Sequence, residues 1–292
     1  MNMRDTSSLL SPHGPSDHEQ VLVLQAPVVP LADANGGIRR QEVYADLEGY
    51  LDVTVPWNPL MLKGDTLRLY WGRVDVIVDL LIVEFPNDPN FHMKVPVRDV
   101  IVVGNGMVDV WYERISSFGD PEPVESPHTT VLVKLEIPGG NDPIPESWPT
   151  NEGLEEAILP PGPIDAVPPE GLRVEIAPWL NMTDGDKARL FWGAASLDID
   201  PIDETQVGQP LIVMVPADVV EQGGDGEDVA VTYEIRDVVG NWSGRAPSAF
   251  IEVETGGAIY DAPAVVKVSN GVLDYDDLDG EDAQVASATR EG

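Results

Sequence analysis

Residues able to do chemistry are present in this chain without a spacing that marks a catalytic site. Among 292 residues there is no cysteine, and the four histidines are His13, His18, His92 and His128. No nucleophile motif, phosphate-cradling glycine loop or zinc-helix spacing accompanies them, so neither a triad nor a histidine metal cluster is indicated. Carboxylates abound, 51 Asp and Glu against 17 Lys and Arg, and that abundance deprives any single pair of meaning as general acid and base. No enzymatic site is expected. Oxygen ligands for calcium could come from three acidic clusters: Asp198, Asp200, Asp203 and Glu204; Asp225, Glu227 and Asp228; and Asp274, Asp276, Asp277 and Asp279. None has the spacing of a helix–loop–helix calcium loop. The run Gly223-Gly224-Asp225-Gly226 is one imperfect copy of a glycine–aspartate calcium repeat, so solvated acidic loops are the default reading. No cofactor is expected, with calcium the one ion left open.

Seven tryptophans, Trp57, Trp71, Trp111, Trp148, Trp179, Trp192 and Trp242, could stack on sugars. Trp71 and Trp192 sit among alternating leucines and read as core. Trp111 falls on the polar side of its strand pattern, which makes it the candidate ligand-binding residue.

The formal net charge of −34 repels phosphate backbones and anionic lipid, so nucleic acid and bare membrane are not expected as partners. No stretch approaches the roughly 18 apolar residues a spanning helix needs. The first 20 residues are polar and lack the basic start and apolar run of a secretory signal. The expected location is extracellular or at a cell surface by a route without such a signal, with the cytoplasm as the alternative.

The organising feature is an internal repeat. Residues 56–72, PWNPLMLKGDTLRLYWG, return as residues 178–193, PWLNMTDGDKARLFWG. With one residue gapped they share the Pro-Trp, the Met, the Gly-Asp, the Arg-Leu and the Trp-Gly. Gly64 to Gly185 and Trp71 to Trp192 are each 121 positions apart by subtraction. Val95-Pro96 answers Val215-Pro216, and Tyr112-Glu113 answers Tyr233-Glu234.

Alternation around these anchors predicts strands. Leu67, Leu69 and Trp71 share one face, as do Ala188, Leu190 and Trp192. Val108, Val110 and Tyr112 are matched by Val229, Val231 and Tyr233. Later strands turn Val131, Val133, Leu135 and Ile137 inward, then Ile251 and Val253. Gly64 and Gly185 stand where a turn feeds the tryptophan strand, a place that suits positive φ. Met61 and Met182 are expected to plug the end of the core. Many short strands separated by turn residues read as an antiparallel two-sheet sandwich.

The Gly-Asp-x-x-x-Leu-x-Trp-Gly core, the Val-Pro strand and the Tyr-Glu strand resemble bacterial immunoglobulin-like repeats, strung together in large surface and adhesin proteins of Gram-negative bacteria. The run Tyr233-Glu234-Ile235-Arg236-Asp237-Val238-Val239-Gly240-Asn241-Trp242-Ser243 is similar to their closing Tyr-x-x-x-Asp-x-x-Gly-Asn-x-Ser pattern. The resemblance covers about residues 26–285 and implies a scaffold without catalytic residues.

The expected fold is therefore all-β: two tandem Ig-like antiparallel β-sandwich domains plus a C-terminal partial repeat. Residues 1–20 form a tail, 21–140 the first sandwich, 141–158 a Pro-rich acidic linker and 159–257 the second sandwich. Residues 258–292 form an acidic tail that opens a third repeat: Ala262-Pro263 and Asp277-Leu278-Asp279-Gly280 answer Ala26-Pro27 and Asp46-Leu47-Glu48-Gly49. Val265, Val266, Val268, Val272, Leu273 and Val285 would give that orphan strand apolar area for an intermolecular contact. The expected function is a structural subunit of an extracellular fibre, joined head to tail through this segment, with self-association or another surface protein as partner. The alternatives are a monomeric adhesion or carbohydrate- and protein-binding module, and an inert spacer or phage-like accessory protein.

Overall fold

The computed structural model describes residues 23–84, 89–119 and 121–256, and four two-residue strands beyond them, at 259–260, 264–265, 285–286 and 289–290. The chain is predominantly β, in several sheets. By compactness it divides into two units, residues 1–28, 52–94 and 109–129 in one and residues 29–51, 95–108 and 130–292 in the other.

In chain order the longer strands of the first half are β1 (Tyr50–Pro56), β2 (Thr66–Trp71), β3 (Ile77–Ile82), β4 (Asn90–Pro96), β5 (Gly106–Ile115) and β6 (Thr129–Lys134). Short helices α1 (Pro30–Asn35), α2 (Arg40–Tyr44) and α3 (Val97–Val103) lie among them. The second half has β7 (Leu172–Ile176), β8 (Lys187–Trp192), β9 (Ala195–Asp198), β10 (Leu211–Val215), helix α4 (Ala217–Gly223), β11 (Gly226–Arg236), β12 (Trp242–Arg245) and β13 (Ala249–Val253).

In the first unit β2 pairs antiparallel with β3 and with β5, placing Leu69 opposite Tyr112 and Trp71 opposite Val110. In the second, β8 lies between β9 and β11, placing Leu190 opposite Tyr233 and Trp192 opposite Val231. These four pairs keep the 121-residue offset, so the same ladder is built twice in the same register. The turns repeat as well. Gly64 and Gly185 have φ of 94° and 82°, and their amides donate to the carbonyls of Val83 and Ile202. A side chain at 185 would collide with Val238 as well as strain the backbone.

Alternation produced the expected faces. Leu67, Leu69, Trp71, Leu190, Trp192 and Val231 are buried, as are Val108, Val110, Tyr112, Val229 and Tyr233. Met61 and Met182 are buried too, while Ile137 is only half-buried. In the second unit, Val174 and Ile176 of β7 and Val213 and Val215 of β10 join Leu190, Trp192, Val231 and Tyr233 in one apolar cluster.

Residues 141–158, read above as a linker, are held against that cluster. Leu154 and Ala157 are buried in it. Asn151, itself buried, donates to the carbonyls of Gly140 at 3.1 Å and Ser243 at 2.8 Å. Proline content and charge set the stiffness of a free segment, but two apolar side chains and one well-satisfied amide are enough to pin it down.

Tyr112 and Tyr233 occupy matching positions, and burial pushes both phenols well above their ordinary value. A raised folded-state value means that the neutral ring is favoured by folding. The stability this supplies is complete below the ordinary phenol value near 10 and is lost as pH climbs toward the folded value. Spectrophotometric alkaline titration should therefore show at least two of the seven tyrosines withholding their phenolate signal until the β structure melts. Smooth titration of all seven near pH ~10 in the folded protein would contradict this.

Candidate functional site

Each of the two Gly-Asp turns gathers several donors around one buried carboxylate. Asp65 is fully buried. It accepts from the Leu62 amide at 2.9 Å, the Ser117 amide at 2.8 Å, the Ser117 hydroxyl at 3.0 Å and Arg114 Nε at 2.6 Å. Burial pushes its carboxyl up, but these donors more than offset that, and the net shift is downward. Asp186, also fully buried, accepts from Thr183 N at 3.0 Å, Thr183 Oγ1 at 2.8 Å and Trp179 Nε1 at 3.0 Å. Its cation is more distant, Lys134 Nζ at 3.8 Å. Burial therefore dominates and the net shift is upward. Lys134 Nζ also donates to Thr183 Oγ1 at 2.6 Å and stands 3.5 Å from Asp237 Oδ2.

The Asp-x-x-Gly-Asn-x-Ser run is turn chemistry. Asp237 accepts from the amides of Val239 and Asn241, Gly240 takes φ 89°, and Ser243 Oγ accepts from the Ile235 amide at 2.9 Å. Asn241 Nδ2 donates to the Lys134 carbonyl at 2.9 Å, and its Oδ1 accepts from the Arg40 amide. These polar residues are committed to holding the turn and the segments beside it.

Trp111 lies on the outer side of β5 but is only 4% exposed. Tyr70 stacks on one side of it, centroids 5.1 Å apart and 5° from parallel, and His128 stacks at 4.7 Å and 16°. Tyr70 donates to Glu113 Oε2 at 2.6 Å, and burial, then that carboxylate, raises its phenol value. A sugar could reach the Trp111 ring only by displacing His128, whose Nε2 lies 3.1 Å from Glu125 Oε1.

The acidic clusters are drawn into local bonds. Arg189 binds Asp198 through two bonds of 2.5 and 3.1 Å, which lowers that carboxyl. Asp203 caps its own loop through Thr205 and Gln206, which lowers it too. Asp225 accepts from Thr255 and from the Gly256 amide. Among the described residues no three His, Asp or Glu side chains gather as a metal site. The acidic cluster at 274–279 lies outside the described residues. So do Val266, Val268, Val272 and Leu273 of the expected interface, whereas Val265 and Val285 lie opposite each other in a short antiparallel ladder within the chain.

One groove in the second unit has a different character. It holds about 500 Å³ and is lined chiefly by Arg39, Arg40, Tyr44, Trp148, Arg236 and Trp242. Among the described residues three guanidinium groups and no carboxylate line it, although the chain carries three acidic residues for each basic one. Trp148 is 67% exposed. Its ring meets Trp242 edge-on, at 5.0 Å and 85°. The Arg236 guanidinium lies 5.7 Å from the Trp242 ring centre, and that of Arg40 lies 4.6 Å from the Tyr44 ring centre. Arg39 pairs with Glu42. Arg40 also donates to the Leu135 carbonyl. Sequence reasoning left Trp148 and Trp242 without a role. The signal that could have drawn attention here is Arg39-Arg40, two adjacent arginines in a chain with so few basic residues.

No protein-family model matches the chain, and no curated protein matches it. Solved structures do show likeness. A structure of a 1.5-MDa bacterial ice-binding adhesin, solved to address host cell surface retention, is 14% identical at a TM-score of 0.37, over 83% of this chain and 69% of that one. SGBP-B of the Bacteroides ovatus mixed-linkage glucan utilization locus, in complex with a mixed-linkage heptasaccharide, is 12% identical at 0.21, over 86% and 48%. The adhesin domain of Epf from Streptococcus pyogenes is 10% identical at 0.22, over 70% and 71%. Among the described residues no helix is long and apolar enough to cross a membrane.

Proposed function

We propose that the chain is a non-catalytic structural and adhesive module of a bacterial surface assembly, in which tandem Ig-like sandwiches over 21–140 and 159–257 serve as the scaffold. One observation carries the reading. Three residue pairs that recur at the 121-residue offset, Asp65 and Asp186, Trp71 and Trp192, and Tyr112 and Tyr233, are buried and tied into turns or core. What is duplicated is framework, which suits a protein built by repetition.

A finer form is a fibre in which residues 258–292 pair with a neighbouring subunit. It draws support from β3, which pairs with β2 alone among the described residues. There Ile77, Leu80 and Ile82 are exposed. An apolar edge strand is a template for strand addition. Size-exclusion chromatography and electron microscopy of the full chain, beside a version ending at Gly257, test it. Concentration-dependent oligomers that vanish on truncation are expected. A full chain that stays monomeric across salt and calcium conditions overturns the fibre form and leaves the single adhesion module, which the groove lined by arginine and tryptophan favours over an inert spacer.

A further inference from the structure

We propose that the groove between α2 and β12 binds an acidic saccharide, with a sugar ring stacked on Trp148 and its carboxylate paired with Arg236 and Arg39. This goes beyond the scaffold reading and stands whether or not the chain forms fibres.

The argument begins with what the chain leaves in water. Of seven tryptophans, Trp71, Trp111, Trp179 and Trp192 are buried and Trp57 and Trp242 are half-buried, so Trp148 alone is exposed. Its edge contact with Trp242 fixes the ring instead of letting it swing, and a preset flat face loses little freedom on binding. Saccharide rings present apolar C–H faces to such a surface, with polar groups around the rim.

The charge then selects among saccharides. Repulsion from a surface of net charge −34 should keep anions away, yet the groove lining concentrates three arginines. Arg236 retains 55% side-chain exposure and stands 3.9 Å from its nearest carboxylate, on Glu234. That separation is at the limit of an ion pair, so its planar fork remains open to a bidentate ligand carboxylate. Arg39 is 34% exposed and held in place by Glu42. A groove of about 500 Å³ lies within the common range of small-ligand sites. Nucleic acid offers stacking and negative charge too, but its dense phosphates would meet the repulsion of the whole surface. A short acidic saccharide, whose few carboxylates can all lie within the groove, is the better match to a small positive island.

The test titrates the full chain with an oligogalacturonate and, separately, with the fully methyl-esterified form of the same length, reading tryptophan fluorescence and calorimetry. Saturable binding of the free acid is expected, weakened at least about tenfold by methyl esterification and by raising the salt to about 1 M. Trp148→Ala and Arg236→Gln are both exposed substitutions, and each should weaken binding about tenfold while leaving the melting curve in place. Equal binding of acid and ester, or binding unchanged in both variants, overturns the proposal. So does the absence of saturation by about 10 mM. A poly-glutamate peptide that binds as tightly as the oligogalacturonate would also overturn it, because the groove would then be a general anion site.

Discussion

Trp192→Ala should cost about 3–5 kcal/mol of unfolding free energy, and Trp71→Ala a similar amount. Both rings are completely buried on the inner face of the strand that recurs at the 121-residue offset. Leu190 and Trp192 face Tyr233 and Val231 across the β8–β11 ladder, and the backbone of Gly223 packs so close to the indole that a side chain there would strike it. Little can collapse into the space a methyl group would leave. A domain with a total stability of roughly 5–15 kcal/mol loses a large share of it in this way. The phenylalanine variants separate volume from hydrogen bonding. Neither indole N–H has a partner among the described residues, and a buried unsatisfied donor costs about 1–3 kcal/mol. Trp192→Phe removes that donor along with part of the ring, so its loss should be well under half that of the alanine variant. Urea unfolding followed by circular dichroism gives both numbers. An alanine variant within about 1 kcal/mol of the parent would mean that the ring is not a core element.

How much of this was legible in the sequence differs between framework and groove. Strict alternation around Leu67, Leu69 and Trp71 names the buried face because strand side chains alternate with period two. The 121-residue spacing then carries the same reading to Leu190 and Trp192. The groove was hidden because it is assembled from distant positions: Arg39 and Arg40 at the start of α2, Trp148 before Pro149, Arg236 and Trp242 around a turn. No periodicity links them. Trp111 shows the opposite failure. Its place on the polar side of the strand pattern suggests a ligand platform, but Tyr70 of β2 and His128, just before β6, cover it. Alternation gives the side of a sheet and says nothing about what is layered on that side. Leu154 and Ala157 went unnoticed for a related reason, since single apolar residues in a proline-rich acidic stretch produce no pattern.

Asp65→Ala should destabilise the protein by about 3–5 kcal/mol, and the matching Asp186→Ala by clearly less. The two carboxylates occupy the same turn, yet their surroundings differ. Removing Asp65 strands the Leu62 and Ser117 amides, and it leaves the guanidinium of Arg114, only 13% exposed, with Ser116 Oγ at 3.4 Å. Removing Asp186 strands the Trp179 and Thr183 donors, but Lys134 keeps Thr183 Oγ1 and Asp237. The pH dependence should separate them as well. Asp65 is held below the ordinary carboxylate value, so its contribution is complete above about pH 4 and is lost as pH falls through its lowered folded value. Asp186 is held above that value, so its ionisation works against folding and its protonation on acidification restores stability. Urea midpoints measured from pH 7 down to about pH 2.5 should therefore fall in the parent and in Asp186→Asn, and fall less steeply in Asp65→Asn. Parallel curves for the parent and Asp65→Asn would show that the carboxylate at 65 titrates alike in the folded and unfolded chain, and the buried ion pair with Arg114 would lose its place in the account of this core.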